Sequence, residues 1–246
     1  MAYPPDVLLP INAKYTGFAD SNKAFNVHWD IIWSFTFALT GTEHGFCTFL
    51  TINPNLTGAI PGQYLGFQGA SAFNYSKSGL LAIAFDSTGY FALSNYGNGG
   101  VSLSGVKKNS LIVRNYNNDV IFNECLSTLD TTFFLASATK NYQTLRFRLT
   151  SSGKRLYIDY KTSQTLYKTL TTVDIPGFTA DSYPLLYTGL TFCSPISSSS
   201  TSPSTMFLKN FNYEGLSSVE TYETLSSASI YPDTLGYTSI SAITDL

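Results

Sequence analysis

The sequence has little charge. Asp, Glu, Lys and Arg make up 12% of its 246 residues, about half the roughly 25% of an average soluble protein. Its 14 Lys and Arg are scattered, with no run longer than two, and the formal net charge is -2. There is no basic stripe to neutralise phosphates, which excludes nucleic-acid binding as an expectation. Two histidines, His28 and His44, are too few for most zinc centres, and the three cysteines form no CxxC. Cys47, Cys125 and Cys193 each sit among apolar residues and read as small buried hydrophobes, so no disulfide is required. No apolar run approaches the ~18 residues that span a bilayer. The opening residues lack a basic stretch, and Pro4, Pro5 and Pro10 interrupt any apolar one, so no signal peptide is expected. Localisation is otherwise undefined.

Neutral polarity and apolar bulk take the place of charge. The sequence contains 30 Ser and 29 Thr, 15% aromatic residues and 43% hydrophobic residues. That apolar share is enough to offset the entropy of ordering, which excludes disorder for most of the length. The length allows one or two domains with a large core.

Period two dominates the patterning. In Ile31 to Leu39, Trp33, Phe35, Phe37 and Leu39 share one face, opposite Ser34, Thr36 and Ala38. Leu145, Phe147 and Leu149 lie opposite Arg146 and Arg148, and Leu156, Ile158 and Tyr160 lie opposite Arg155 and Asp159. The connection Ser151-Ser152-Gly153-Lys154 makes these two runs an antiparallel hairpin. Further strands are predicted from Gly45, Leu80, Ser110, Asp119, Leu185 and Met206. Short β-branched or aromatic runs bounded by Gly, Pro, Asn or Ser predict an all-β antiparallel sandwich. Helix signals are weak, with room for a turn or two between Leu126 and Ala138. The Ser197 to Pro203 stretch reads as a loop within the domain, because strand-like sequence resumes after it. The expected organisation is one sandwich domain, 1–215, and a Ser/Thr/Tyr-rich tail, 216–246. The tail either packs on the sandwich or engages a partner.

Four stretches in order resemble the concanavalin A-like lectin and glucanase superfamily, nearest in motif order to the L-type (legume-type) lectins. WSFTFAL followed by EHGFCTFL resembles paired strands that carry a sugar-site Asp-Gly and an aromatic run. GQYLGFQG, at Gly62 to Gly69, resembles the loop that presents backbone N–H groups to sugar. LLAIAFDS, at Leu80 to Ser87, resembles the strand that feeds a metal loop. LRFRLTSSGKRLYIDY, TTVDI, YPLLYTGLTF and FLKNFNYEG resemble the last strands. The resemblance implies a jelly-roll sandwich over roughly residues 15 to 215.

It also implies a site, and here the sequence departs from the family. Asp86 matches a family metal ligand, but the partner Glu two residues earlier is Ala84, and the expected His is Ser110. The loop between them has no carboxylate. Calcium takes six to eight oxygens, so Asp86 with Asn95 and Asn98 would hold it weakly, and the paired calcium and manganese site is expected to be absent. The family's sugar-binding Asp aligns with His44, and the second Gly of the presenting loop aligns with Gln63. Tyr96-Gly97-Asn98-Gly99-Gly100 lies where the family places an Asn and an aromatic, and Ser197 to Ser200 aligns with its specificity loop. The candidate carbohydrate-binding set is therefore His44, Gln63, Asp86, Tyr96, Asn98 and Ser198. Read alone, His44 is a turn residue, Asp86 a strand-end cap, and the Gly-rich segment a plain turn.

Catalysis has less support. Glycosidases need two carboxyls a fixed distance apart, and none of the five glutamates has an Asp at i+2. There is no nucleophile elbow, phosphate loop or His-Glu-x-x-His pair. The leading expectation is a non-enzymatic, lectin-like module whose partner is a glycan. Beside it stands a structural or interaction protein, such as a phage or virion component, that keeps the fold without binding sugar. Glycoside hydrolysis is a minor third reading. A homo-oligomer through a sheet edge or the tail is compatible with either of the first two.

Overall fold

In the computed structural model of the chain, the described residues are 7–11, 16–20, 25–26, 31–40, 45–51, 65, 79–93, 100–115, 117–133, 135–137, 139, 141–150, 155–162, 166–176, 185–193, 204–215, 223–225 and 237–240. They form fifteen strands: β1 (Val7–Ile11), β2 (Thr16–Asp20), β3 (Phe25–Asn26), β4 (Ile31–Thr40), β5 (Gly45–Thr51), β6 (Gly79–Asp86), β7 (Ser110–Arg114), β8 (Val120–Cys125), β9 (Gln143–Leu149), β10 (Arg155–Thr162), β11 (Lys168–Asp174), β12 (Leu185–Cys193), β13 (Ser204–Gly215), β14 (Glu223–Leu225) and β15 (Tyr237–Ile240). The α-helix among them is a single turn, α1 (Leu126–Leu129), inside the stretch where the sequence leaves room for one.

The strands build two sheets. The back sheet has the order β1-β13-β4-β9-β10-β11, with β14 paired to β13. The front sheet has the order β15-β2-β12-β5-β6-β7-β8, with β3 paired to β12. All pairs are antiparallel except β15 with β2. The two strands beyond Gly215 thus add one to each sheet. The fold is the antiparallel β-sandwich that the patterning predicts, and the β9–β10 hairpin pairs Leu149 with Leu156, Phe147 with Ile158 and Leu145 with Tyr160.

The alternation puts the apolar side of the back sheet inward. Ile31, Trp33, Phe35, Phe37 and Leu39 of β4, and Leu145, Phe147 and Leu149 of β9, are buried, while Arg146 and Arg148 face outward. From the front sheet come Phe46, Leu50, Leu81, Ile83, Phe85, Leu111 and Val113. Aromatic rings pack within each layer and, at Phe35 and Phe46, between them. Trp33 stacks on Phe147 at 5.1 Å, Phe35 meets Phe46 edge-on at 5.7 Å, and Phe46 stacks on Phe85 at 4.9 Å. Such pairs each contribute roughly 0.5–1.5 kcal/mol beyond their buried area. One polar link crosses the core: Trp33 Nε1–H donates to Thr48 Oγ1 at 2.9 Å, and that hydroxyl donates to the Gly189 carbonyl at 2.8 Å. An indole N–H buried this deeply needs an acceptor.

The front sheet breaks the alternation. Residues 45–50, 81–87 and 110–115 are buried on both faces. Their runs, GFCTFL, DS-terminated LAIAF and SLIVRN, are correspondingly continuous rather than alternating. Something must cover the outer face of β5, β6 and β7, and that cover forms the site described below.

The cross-sheet link yields a test. Thr48→Val removes the acceptor of a buried donor and is expected to cost ~1–3 kcal/mol. Adding Trp33→Phe should recover part of that loss in a double-mutant cycle followed by urea denaturation. Strictly additive effects would show that the link contributes nothing.

Candidate functional site

Register brings the loop ends together. Cys193 of β12 pairs with Gly45 of β5, Gly45 with Asp86 of β6, Asp86 with Ser110 of β7, and Ser110 with Cys125 of β8. The connections that leave after Cys193, arrive before Gly45 and run from Asp86 to Ser110 therefore share one end of the front sheet. Four of the predicted site residues, His44, Tyr96, Asn98 and Ser198, belong to these connections in the sequence, and Asp86 stands in the row itself. His44, Gln63, Tyr96, Asn98 and Ser198 lie outside the described residues. Asp86 is described, and so are several neighbours of the others. Gly45, next to His44, packs under Leu65, two residues after Gln63. A Cβ on Gly45 would come within 2.5 Å of Leu65 Cδ2. Leu65 is fully buried with φ 50°, an unusual conformation for leucine that aims its side chain onto the sheet.

The cover over the front face is built from the segment after β6. Residues Tyr90–Ala92 form a 3₁₀ turn, and Leu93 then forms a parallel bridge with Val101. Phe91, Ala92 and Leu65 pack on Cys47, Phe49, Ala82, Ala84 and Ile112. The small side chains Ala82 and Ala84 leave room for Phe91. Gly89 makes the turn possible: its φ is +75°, and a Cβ there would lie 2.0 Å from the Lys107 carbonyl oxygen.

Two buried ionisable side chains hold this cover. Asp86 Oδ1 accepts from Thr88 N–H at 2.8 Å and Thr88 Oγ1 at 2.7 Å, and Oδ2 accepts from Phe91 N–H at 3.0 Å. Arg114, with no exposed surface, donates from Nε and Nη2 to the Phe91 carbonyl at 3.0 and 2.7 Å. Nη2 also donates to the Leu93 carbonyl at 2.9 Å, and Nη1 to the Asn118 carbonyl at 2.6 Å. The guanidinium lies 5.4 Å from the centre of the Phe91 ring. The Phe91 residue is thus gripped at its N–H by an acid on β6 and at its carbonyl by a base on β7. The described residues before and after positions 94–99 are tied together, because Val101 N–H donates to the Ala92 carbonyl at 2.9 Å.

Burial raises the Asp86 carboxyl above the usual carboxylate range, against the hydrogen bonds from Phe91, Thr88 and Gly89 that favour its ionised form. Burial likewise pushes the Cys47 thiol well up, opposed by a hydrogen bond to the Ile83 backbone and by the Arg114 charge. Cys47 is an inert core residue here. Ser110 Oγ, beside Asp86 in the row, is buried with no hydrogen-bond partner. Tyr90 stands at the mouth of the turn, 38% exposed.

Among the described residues, the groups around Asp86 do not supply the ligands of a pair of divalent cations. Three N–H and O–H donors already occupy its carboxylate, Ala84 is apolar and covered by Phe91, and the strong positive charge on this face belongs to Arg114. Among the described residues no three His, Cys, Asp or Glu side chains converge. Arg114 is a residue that period-two reading passes over. Its only signal is a lone charge closing an apolar run, SLIVR, followed by Asn.

Compared by sequence, the chain matches no family model and no curated protein. Compared by fold, it is similar to solved legume lectins. A seed lectin of Lotus tetragonolobus aligns with a TM-score of 0.53 and 9% identity, covering 83% of this chain and 80% of that one. Lectin I of Ulex europaeus, in complex with the methyl glycoside of α-L-fucose, gives 0.52 and 14%, covering 85% and 97%. The metal-free form of lectin I-B4 from Griffonia simplicifolia gives 0.51 and 14%, covering 75% and 70%. At these identities the likeness is one of fold, the concanavalin A-like sandwich expected from the motif order.

Two predictions follow from the cover. Gly89→Ala combines a disfavoured φ with a backbone clash and is expected to cost more than ~1 kcal/mol in chemical denaturation. Gly105→Ala, where an added Cβ would meet nothing nearer than 3.3 Å, is the control and should cost distinctly less. For Asp86 the sign is set by its raised folded pKa. The contribution of this group is fully present below its unfolded value, near 3.9, and is lost as pH rises through the folded value. The stability of the wild type relative to D86N should therefore fall with rising pH, and a pH-independent gap would contradict the burial effect.

Proposed function

We propose that the chain is a non-enzymatic carbohydrate-binding module that takes a neutral saccharide at this end of the front sheet without a calcium–manganese pair. The observation that carries the reading is the row Cys193, Gly45, Asp86 and Ser110, which launches the connections from one edge of a lectin-type sandwich. The sequence of those connections is rich in amides, hydroxyls and aromatic rings, the groups that hydrogen-bond sugar hydroxyls and stack on their C–H faces. The fold neighbours support the ligand class, since lectin I of Ulex europaeus is solved with a fucoside.

In this reading His44, Gln63, Tyr96, Asn98 and Ser198 are the saccharide-binding residues. Asp86 is a positioning residue, because its oxygens are occupied by Thr88 and Phe91. Arg114 supplies the positive charge that orders loop carbonyls, a task a bound metal ion would otherwise perform. A guanidinium is permanently charged and carries five donors in a fixed fork. Hydrolysis is disfavoured by the face itself: the residues two and four before Asp86 on its side of β6 are Ala84 and Ala82, and acid–base glycosidases need a second carboxyl ~5–9.5 Å away.

Titration calorimetry with neutral mono- and disaccharides, after a glycan array to choose them, is expected to show binding at millimolar concentration or tighter. A chelator should leave the affinity unchanged. Tyr96→Ala should weaken binding about tenfold, ~1.4 kcal/mol, without loss of stability, whereas Arg114→Met should lower both. No binding at millimolar ligand would overturn the reading, and loss of binding on chelation would overturn its metal-free part.

A further inference from the structure

The outer face of the back sheet carries a second constellation that the neutral-sugar site does not use. Asp159 sits on β10 at a register shift in its pairing with β11, its side chain only 1% exposed. Two guanidiniums converge on it. Arg146 donates from Nε and Nη2 to Oδ2 at 3.1 and 2.9 Å. Arg148 donates from Nε to Oδ2 at 2.7 Å and from Nη2 to Oδ1 at 3.2 Å. Thr169 Oγ1 completes the set at 2.8 Å from Oδ1. Burial opposes ionisation of Asp159, and the bonds from Arg148, Thr169 and Arg146 outweigh it, holding the carboxyl below the usual range.

One carboxylate cannot neutralise two guanidiniums, and more positive charge lies alongside. Lys161, two residues along β10, has Nζ 4.8 Å from the centre of the Tyr167 ring and no carboxylate partner among the described residues. Arg155 is paired to Asp174 at 2.7 Å at the other end of the strand. Among the described residues of β9, β10 and β11 around Asp159, four cations thus face two carboxylates, a local excess of two positive charges on a chain whose formal net charge is -2. The arginines are pre-organised as well as charged. Tyr167 lies 3.7 Å from the Arg146 guanidinium carbon, and Tyr157 lies 4.7 Å from that of Arg148. Both arginines spend Nε and Nη2 on Asp159, leaving Nη1 without a bond among the described residues, and both are partly exposed, 29% and 34%. Fixing a fork before the ligand arrives removes much of the ordering cost of binding.

We infer that this face is a second binding site, for a saccharide polymer bearing carboxylates, of the uronic-acid type. The free guanidinium edges match planar carboxylates, Lys161 adds a point charge, and the strands around them carry Thr172 and the mutually hydrogen-bonded pair Thr36 and Thr144, whose hydroxyls can still accept from sugar hydroxyls. An excess of two charges is too small to track a nucleic-acid backbone, which requires many phosphates to be neutralised. In its residues this site is independent of the neutral-sugar site, and it shares with that reading only the class of ligand.

The test uses the full chain, an oligogalacturonate, dextran as the neutral polymer, dextran sulfate and a single-stranded oligonucleotide. Oligogalacturonate should bind at low ionic strength, weaken as salt is added, and exceed all three other polymers in affinity. Lys161→Gln breaks no ion pair described here and should weaken it at least threefold with an unchanged melting temperature. Arg148→Gln should weaken it more. Neutral-saccharide binding at the front sheet should be untouched by Lys161→Gln. Absence of oligogalacturonate binding, equal or tighter binding of the sulfate polymer or the oligonucleotide, or an unaltered affinity in Lys161→Gln would each overturn the inference. Oligogalacturonate binding without any neutral-saccharide binding would overturn only the front-sheet reading, and the reverse would overturn only this one.

Discussion

The grip on Phe91 is the interaction around which the front of the molecule is organised. A sheet strand buried on both faces must have a cover, and any cover made of loop brings peptide groups into a dry environment where each needs a partner. The 3₁₀ turn over β6 cannot satisfy all of its own. Asp86 takes the Phe91 N–H, and Arg114 takes the Phe91 and Leu93 carbonyls. With those groups paired, the ring of Phe91 can lie on Ala82 and Ala84, and the outer face of β5, β6 and β7 becomes a second, smaller core. Removing either ionisable group would leave the backbone groups it pairs with buried and unmatched, a larger loss than a deleted surface bond.

This explains why some of the structure is legible in the sequence and some is not. β4, β9 and β10 have one wet and one dry face, so period two reports both the strands and the direction of the core, down to Trp33, Phe35, Phe37 and Phe147. β5, β6 and β7 are dry on both sides, and there the pattern identifies strands but not which side faces the partner sheet. The register supplies what the pattern lacks: it places Asp86 beside Ser110 and the β5 entry beside Asp86. The role of Arg114 was hidden because it depends on a loop folding back over a strand 23 residues away. Lone arginines at strand ends are ordinary surface residues far more often than buried anchors. The bulge at Asp159 was hidden for a related reason, since an alternating strand does not announce where its neighbour slips.

Low charge acquires a location through this structure. Few ionisable residues are available, and those described are concentrated rather than spread. One acid and one base are buried in the front cover, Asp130 is held by Lys168, Thr132 and Tyr160, and a cationic group gathers on the back sheet. Lys107 pairs with Glu124 at 2.9 Å, and most of the remaining polar side chains of the sequence are hydroxyls and amides. Hydroxyls and amides hydrogen-bond water and neutral polyols alike, so the proposed saccharide site asks for no chemistry that hydration does not already use. Cations concentrated on one face of a nearly neutral chain act at short range, because an exposed field decays within about 8–10 Å at physiological salt.

The choice of an arginine as the internal cation has consequences that a metal ion would not have. A divalent ion orders oxygens by strong but exchangeable bonds, and its affinity falls as its ligands protonate. A guanidinium is covalently part of β7, keeps its charge at any pH at which the protein folds, and matches carbonyl oxygens with directed N–H bonds. It also needs the strand beneath it to be in register before it can act, so the order of the loop becomes a consequence of sheet formation. In the reverse direction, the loop adds stability only to a sheet that has already formed, because Phe91, Leu93 and Asn118 reach the same side chain from two different connections. A cover arranged this way is complete when the chain has folded, because the Leu93–Val101 bridge that closes it lies over strands already in register.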